Sequence, residues 1–196
     1  ALDLTGTPRV LGTLRAIEFD GSPWVPAGRF PRVSGSIAIN AGGNSIGVDG
    51  TLTSTGLINE PLRLQGGGTW QGRVMEITTL RAWLPRSNAS FTTAGKIDLA
   101  PESPVLAVRG EWSTLRWPLA GEPVVTSAAG TYRIGGSLPY AYEVKAETAG
   151  AQIPAAAWHA TGLVGRDALT IDAVDAYTLD GRIRGAGRLG WTGDQP

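Results

Sequence analysis

The 196-residue chain has no cysteine, a single histidine and only two lysines, Lys96 and Lys145. Without cysteine there are no disulfides, no thiolate metal sites and no cysteine nucleophile. His159 stands alone, so no two-histidine metal site can be assembled. A hydrolytic triad would need that histidine beside an activated serine, and no G-x-S-x-G elbow occurs. The 17 basic residues equal the 17 acidic ones, which leaves none of the basic surplus that a nucleic-acid binder carries. No apolar run reaches the length that spans a bilayer as a helix, and no signal peptide is recognisable. Amphipathic helix is missing too. The best candidate, "GAQIPAAAWHATG", is rich in helix-favouring alanine, but Pro154 and the flanking glycines limit it to a turn or two.

What is present is glycine, proline and alternation. The chain holds 28 Gly, 13 Pro, seven Trp and 42 % hydrophobic residues, enough to bury a core. Short alternating runs recur between glycines: "SGSIAIN", "NSIGVDGTLTS", "EPLRLQGGGTWQG", "GKIDLA", "PVLAVRGEW", "GTYRIGG", "YAYEVKAET", "ALTIDA" and "GRIRGAGRLGW". About a dozen strands at this spacing predict an all-β architecture. The prolines at Pro23–Pro31, Pro85 and Pro118–Pro123 read as corners. A weak repeat links the segment from Met75 to that from Leu169: Ile77 aligns with Ile171, Ala82 with Ala176, Trp83 with Tyr177 and, across a two-residue gap, Gly95 with Gly187. A shorter echo joins "LRAWLP" to "LRWPL". Drifting repeats of strand units predict an extended sheet rather than a closed globule.

"GAGRLG", Gly185–Gly190, matches the glycine fingerprint of dinucleotide sites. That fingerprint needs a strand before it and a helix after it to receive a pyrophosphate. Here Arg182, Arg184 and Arg188 alternate with Ile183, Leu189 and Trp191, and "TGDQP" follows. The glycines belong to a strand with one wet and one dry face. Three strands share this pattern. Leu62, Leu64, Gly66, Gly68 and Trp70 fall on one parity; so do Leu106, Val108, Gly110 and Trp112, and likewise Ile183, Gly185, Gly187, Leu189 and Trp191. Glycine inside a strand costs stability, so its repeated use on the dry parity needs a reason. Two readings stand. The glycines make room for bulky protein side chains or a bend, or they leave an apolar trough for something that is not protein.

Polar clusters read as surface. Asp172, Asp175 and Asp180 are close in sequence, but Asp172 takes the parity opposite Leu169 and Ile171, as on a solvated face. His159 reads as a surface or boundary residue beside Trp158, and Arg182, Arg184 and Arg188 as a solvated strand face. Asn88-Ala89-Ser90 matches the glycosylation sequon.

At "STLRWPLAG", then "VVTSAAGTYRIGGSLPYAYEVKAE" and "LTIDAVDAYTLDGRIRGAGRLGW", the chain resembles the TamB family of AsmA-like bridge proteins. The resemblance rests on W-x-x-L-R-W-P-L, Trp112 to Leu119, and on Gly136, Leu138 and Tyr140, continued through Tyr142 and Val144. The closing L-D-G-x-I-x-G-x-G-x-L-x-W unit completes it. It spans roughly residues 70 to 196. It implies a long, strongly curved, open β-sheet whose concave face is apolar, with little helix and no enzymatic activity, metal or cofactor. It also implies a periplasmic bridge in a Gram-negative bacterium, anchored in the inner membrane through its parent protein and partnered with a TamA-like outer-membrane barrel. The tasks implied are passage of phospholipid or other acyl chains, or shelter of apolar outer-membrane protein segments, in outer-membrane biogenesis and autotransporter assembly. The chain opens on "ALDLTG" without methionine and closes soon after Trp191, so residues 1–196 are expected to be one segment of a longer protein. A β-solenoid passenger or adhesin is the alternative, though no short rung period is found.

On this reading one row lines the groove: Ile37, Ile39, Val48, Leu52, Leu62, Leu64, Ile97, Leu99, Leu106, Val108, Ile134, Val144, Ile171, Ile183 and Leu189. Gly66, Gly68, Gly110, Gly185 and Gly187 form its floor. Each assignment depends on register, and a bulge would reverse it.

Overall fold

The computed structural model describes residues 2–3, 9–19, 33–54, 58–100, 102–119, 121–151, 154–179 and 181–190. Among them no helix occurs. Thirteen strands form one sheet in sequence order: β1 (Leu2–Asp3), β2 (Arg9–Phe19), β3 (Val33–Gly42), β4 (Ser45–Ser54), β5 (Ile58–Gln71), β6 (Val74–Leu84), β7 (Ala89–Asp98), β8 (Val105–Trp117), β9 (Val125–Gly136), β10 (Tyr140–Ala149), β11 (Ala156–Val164), β12 (Ala168–Thr178) and β13 (Gly181–Gly190). Every ladder is antiparallel and joins sequence neighbours. The sheet is not closed, since β1 and β13 each pair on one side only. Substantial contacts between strands likewise run only between ladder neighbours. The buried apolar side chains are accordingly few and mostly small: Leu84, Ala89, Ala156, Ala168 and Ala176.

Local sequence explains the meander. Two-residue turns at Gly43-Asn44 and Gly72-Arg73 place glycine at φ +56° and +60°, a left-handed backbone that favours this residue. The prolines at 85 and 118–123 fall between strands, as corners; Pro23–Pro31 lie outside the described residues. The nine alternating runs all lie on strands, and "GAGRLG" is strand throughout. The alanine-rich stretch that sequence limits to a turn or two of helix is strand from Ala156 on, as β11, paired to β10 and β12; Gln152 and Ile153 lie outside the described residues. Hydrogen bonding on both sides outweighs the weak helix preference of a few alanines.

The weak sequence repeat is a structural one. In β6 the chain gains a residue between Ile77 and Leu80, and in β12 between Ile171 and Val174. These bulges sit at aligned positions, with aligned partners: Gly67↔Thr79 and Gly68↔Ile77 in one unit, Thr161↔Ala173 and Gly162↔Ile171 in the other. The same close approach recurs. A Cβ on Gly68 would lie 2.2 Å from the Glu76 carbonyl oxygen, and one on Gly162 would lie 1.9 Å from that of Thr170. Gly187, by contrast, has nothing within 4 Å of such a Cβ. Gly162→Val should therefore force the bulge apart and cost roughly 1–3 kcal/mol, about 2–10 °C in melting temperature. Gly187→Val should leave melting unchanged or raise it. Circular dichroism melts of the two variants check this, and equal losses would refute the close-approach account.

Candidate apolar binding face

Residues directly opposite in a ladder share a face, so the register can be followed from strand to strand. Ile37 and Ile39 on β3 face Gly50 and Val48 on β4. Leu52, Gly50, Val48 and Ile46 then oppose Leu62, Leu64, Gly66 and Gly68 on β5. Gly66 and Gly68 oppose Leu80 and Ile77 on β6, and Met75 and Ile77 oppose Ile97 and Gly95 on β7. Ile97, Gly95 and Thr93 meet Leu106, Val108 and Gly110 on β8. Val108 and Gly110 meet Ile134 and Tyr132 on β9, which meet Tyr142 and Val144 on β10. Tyr142 and Val144 oppose Gly162 and Ala160 on β11, and these oppose Ile171 and Val174 on β12. Finally Leu169, Ile171, Val174 and Ala176 oppose Leu189, Gly187, Gly185 and Ile183 on β13.

The register thus brings fourteen of the fifteen row residues and all five glycines to one face; Leu99 lies just past the end of β7. Along β8 the members of this face, Leu106, Val108, Gly110 and Trp112, are half-buried, while Ala107, Arg109 and Glu111 between them are exposed. At the free edge the cover thins, and Ile183 and Leu189 are 54 % and 63 % exposed.

The glycines serve different ends. At Gly110 a Cβ would lie 2.0 Å from the Thr92 carbonyl oxygen and 2.5 Å from Cε1 of Tyr132, so backbone and ring together close the site. At Gly66 the Leu80 side chain and the Thr79 carbonyl are close, and at Gly68 the Glu76 carbonyl. Gly185 meets only Val174, and Gly187 is open. The covering side chains come from the next strand of the same sheet. Above Gly66 and Gly68 an apolar hollow of about 190 Å³ remains, lined by Ile46, Val48, Met75, Ile77 and Leu80 among others.

Residues of β6 belong to this face but were absent from the expected row, because the bulge puts Ile77 and Leu80 on the same side despite opposite parity. Also absent were the aromatics Phe91, Tyr132 and Trp158. Phe91 and Tyr132 stack at 5.2 Å between centroids. The polar ends of the aromatics find partners: Trp112 Nε1 donates to Ser127 Oγ at 2.9 Å, and Trp158 Nε1 to Thr148 Oγ1 at 2.7 Å. Tyr142 Oη donates to the Thr170 carbonyl at 3.2 Å. Tryptophan and tyrosine on the dry parity were the available signal for Trp112 and Tyr142.

A family model described as TamB, N-terminal domain, matches residues 70–194. The chain belongs to the TamB family. No curated protein and no solved structure matches it. The match covers β6 to β13, and hence most of the apolar face.

The other face of this TamB-family sheet carries the charges, in pairs. Glu76 meets Lys96 at 3.4 Å, and Glu143 meets both Lys145 and His159 at 3.0 Å. Asp175 accepts from Arg182 Nε at 2.9 Å and Arg184 Nε at 3.2 Å, and Arg188 reaches Asp167 at 4.0 Å. His159 is exposed and held by a glutamate, with no serine triad around it. Asp172 is exposed, while Asp180 and Trp191 lie outside the described residues. Among the described residues no cluster of metal-binding groups is found, and no helix is long and apolar enough to cross a membrane.

Asp175 titrates below the usual carboxylate range because Arg182 hydrogen-bonds its charged form and, with the charges of Arg182 and Arg184, outweighs the opposing desolvation. At Glu60, desolvation pushes the carboxyl up. The Arg86 and Ser87 amides, which donate to it, and the Arg86 charge outweigh this and hold it below its ordinary value of 4.5. That carboxylate ties β5 to the β6–β7 turn, where Asn88 adopts φ +57°. A lowered folded pKa gives stability that is complete above the unfolded value and is lost as pH falls through the folded one. Acid should therefore destabilise the sheet below about pH 4.5. Glu60→Gln should flatten that dependence and speed hydrogen exchange of the Arg86 and Ser87 amides. Thermal melts across this range, with exchange by NMR, check both.

Proposed function

We propose that this segment forms part of a periplasmic bridge between the inner and outer membranes, and that its apolar face is a groove conducting phospholipid or sheltering apolar outer-membrane protein segments. The observation that carries the reading is the single register-locked apolar face running from β3 to β13. Membership of the TamB family supports it. So does the asymmetry of exposure. On β8 the apolar parity is half-buried and the polar parity exposed, the pattern that a sheet curled around its apolar side would give and a flat sheet open on both sides would not. In this proposal residues 1–196 are one piece of a longer protein with an inner-membrane anchor and a TamA-like barrel as partner. The groove acts by solvation and needs no catalytic residue. An acyl methylene in water costs about 0.8 kcal/mol, so a sixteen-carbon chain costs on the order of ten. A continuous dry trough removes most of that barrier. The solenoid alternative fits poorly, since consecutive strands here form antiparallel hairpins rather than stacked coils.

Two measurements test the proposal. The purified chain should carry phospholipid into an organic extract, read by mass spectrometry; a lipid-free extract together with glycan binding would favour the adhesin reading. Leu64→Arg or Leu106→Arg should melt close to wild type, since in an open trough the long side chain reaches water at the edge. In the full-length protein the same variants should stop lipid cross-linking. In a sealed core an unpaired buried charge would cost several kcal/mol, so a collapse of melting temperature would sink the trough.

A further inference from the structure

The two bulged units, β4–β6 and β10–β12, can be compared at the residue opposite the bulge glycine. In each, a glycine stands against the carbonyl that precedes its partner isoleucine: Gly68 against Glu76, and Gly162 against Thr170. Two residues back, Val48 opposes Gly66 in one unit and Val144 opposes Ala160 in the other. The residue opposite the glycine itself changes. It is Ile46 beside Gly68 and Tyr142 beside Gly162. In the second unit the phenol of Tyr142 occupies the space over the glycine. Its hydroxyl oxygen lies 2.9 Å from where a Gly162 Cβ would be, and it donates to the Thr170 carbonyl at 3.2 Å. In the first unit isoleucine is too short to do this, and the space is the hollow of about 190 Å³.

We infer that this hollow is a seat for a phenol ring supplied by another chain: the tyrosine side chain of an extended apolar segment lying along the face. The protein's own second unit shows what the seat takes, namely a phenol whose hydroxyl sits over the bulge glycine and donates to the bulge carbonyl. A carbonyl oxygen has two lone pairs, and Thr170 uses one for a tyrosine in this backbone geometry. The size fits. An apolar cavity of roughly 150 Å³ holds benzene. A saturated acyl chain has no donor to offer the Glu76 carbonyl, so the seat favours a tyrosine-bearing segment over lipid. The inference rests on the groove reading above and narrows it to the sheltering of protein.

The test is a methyl-NMR titration of the delipidated full chain with p-cresol, toluene and 1-octanol. p-Cresol should shift the methyls of Ile46, Val48, Ile77 and Leu80, and toluene, which lacks the hydroxyl, should bind roughly three- to tenfold more weakly. Ile46→Tyr should fill the seat from within and abolish these shifts. Tyr142→Ile should empty the second unit and create a new p-cresol site beside Val144 and Ile171. If Ile46→Tyr does not fold, that gain of binding decides alone. Absence of p-cresol shifts, toluene binding as well as p-cresol, or octanol displacing p-cresol at equal concentration each overturn the phenol seat. Lipid that co-purifies while p-cresol misses the hollow would remove the seat and leave the groove. Absence of both would remove both.

Discussion

A sheet with no second layer keeps one face dry only if every strand holds its register with its neighbours. Side chains alternate with period two, so a one-residue slip in any ladder would put arginine and glutamate where leucine and valine should be. Twelve antiparallel ladders carry that constraint here. The buried core cannot carry it, because it holds one leucine and a few alanines beside half-buried side chains. The backbone hydrogen bonds and the cross-strand contacts on the apolar side specify the architecture together.

Bulges preserve this constraint where the sequence breaks alternation. In β6, Ile77 and Leu80 fall on opposite parities; the extra residue between them turns both to the apolar side. The same device holds Ile171 and Val174 together in β12. It needs glycine on the preceding strand, since the displaced carbonyl leaves no room for a Cβ at position 68 or 162. Gly68 and Gly162 are thus part of the bulge; Gly110, in a ladder without one, is closed both by the Thr92 carbonyl and by the ring of Tyr132. The ring over Gly110 matches the pairing of a strand glycine with a neighbouring aromatic that stabilises sheets.

The charged face solves a different problem. Some of its carboxylates draw cations from the same or the adjacent strand, as Glu143 does with Lys145 on β10 and His159 on β11, and Asp175 with Arg182 and Arg184 on β13. Exposed pairs of this kind contribute little stability singly. They do disfavour the flipped register, in which these groups would meet aliphatics. Charge here guards the apolar face.

The sequence by itself determined the all-β class, most of the strands and the parity of those without a bulge. Alternation and glycine punctuation are local signals, and Leu62 to Trp70 or Leu106 to Trp112 can be read without any partner. The row of residues on the dry parity was legible for the same reason, as was the resemblance carried by Trp112 to Leu119. Tertiary structure decided what no single strand encodes. It made β11 a strand, because two ladders outweigh the helix preference of alanine. It placed β6 on the apolar side through a bulge visible only against β5 and β7. It also separated glycines that look alike in sequence: Gly68 pressed on a carbonyl, Gly110 on a carbonyl and under a ring as well, and Gly187 open. Which of these a glycine becomes depends on the residue across the ladder, and that pairing exists only once the strands have met.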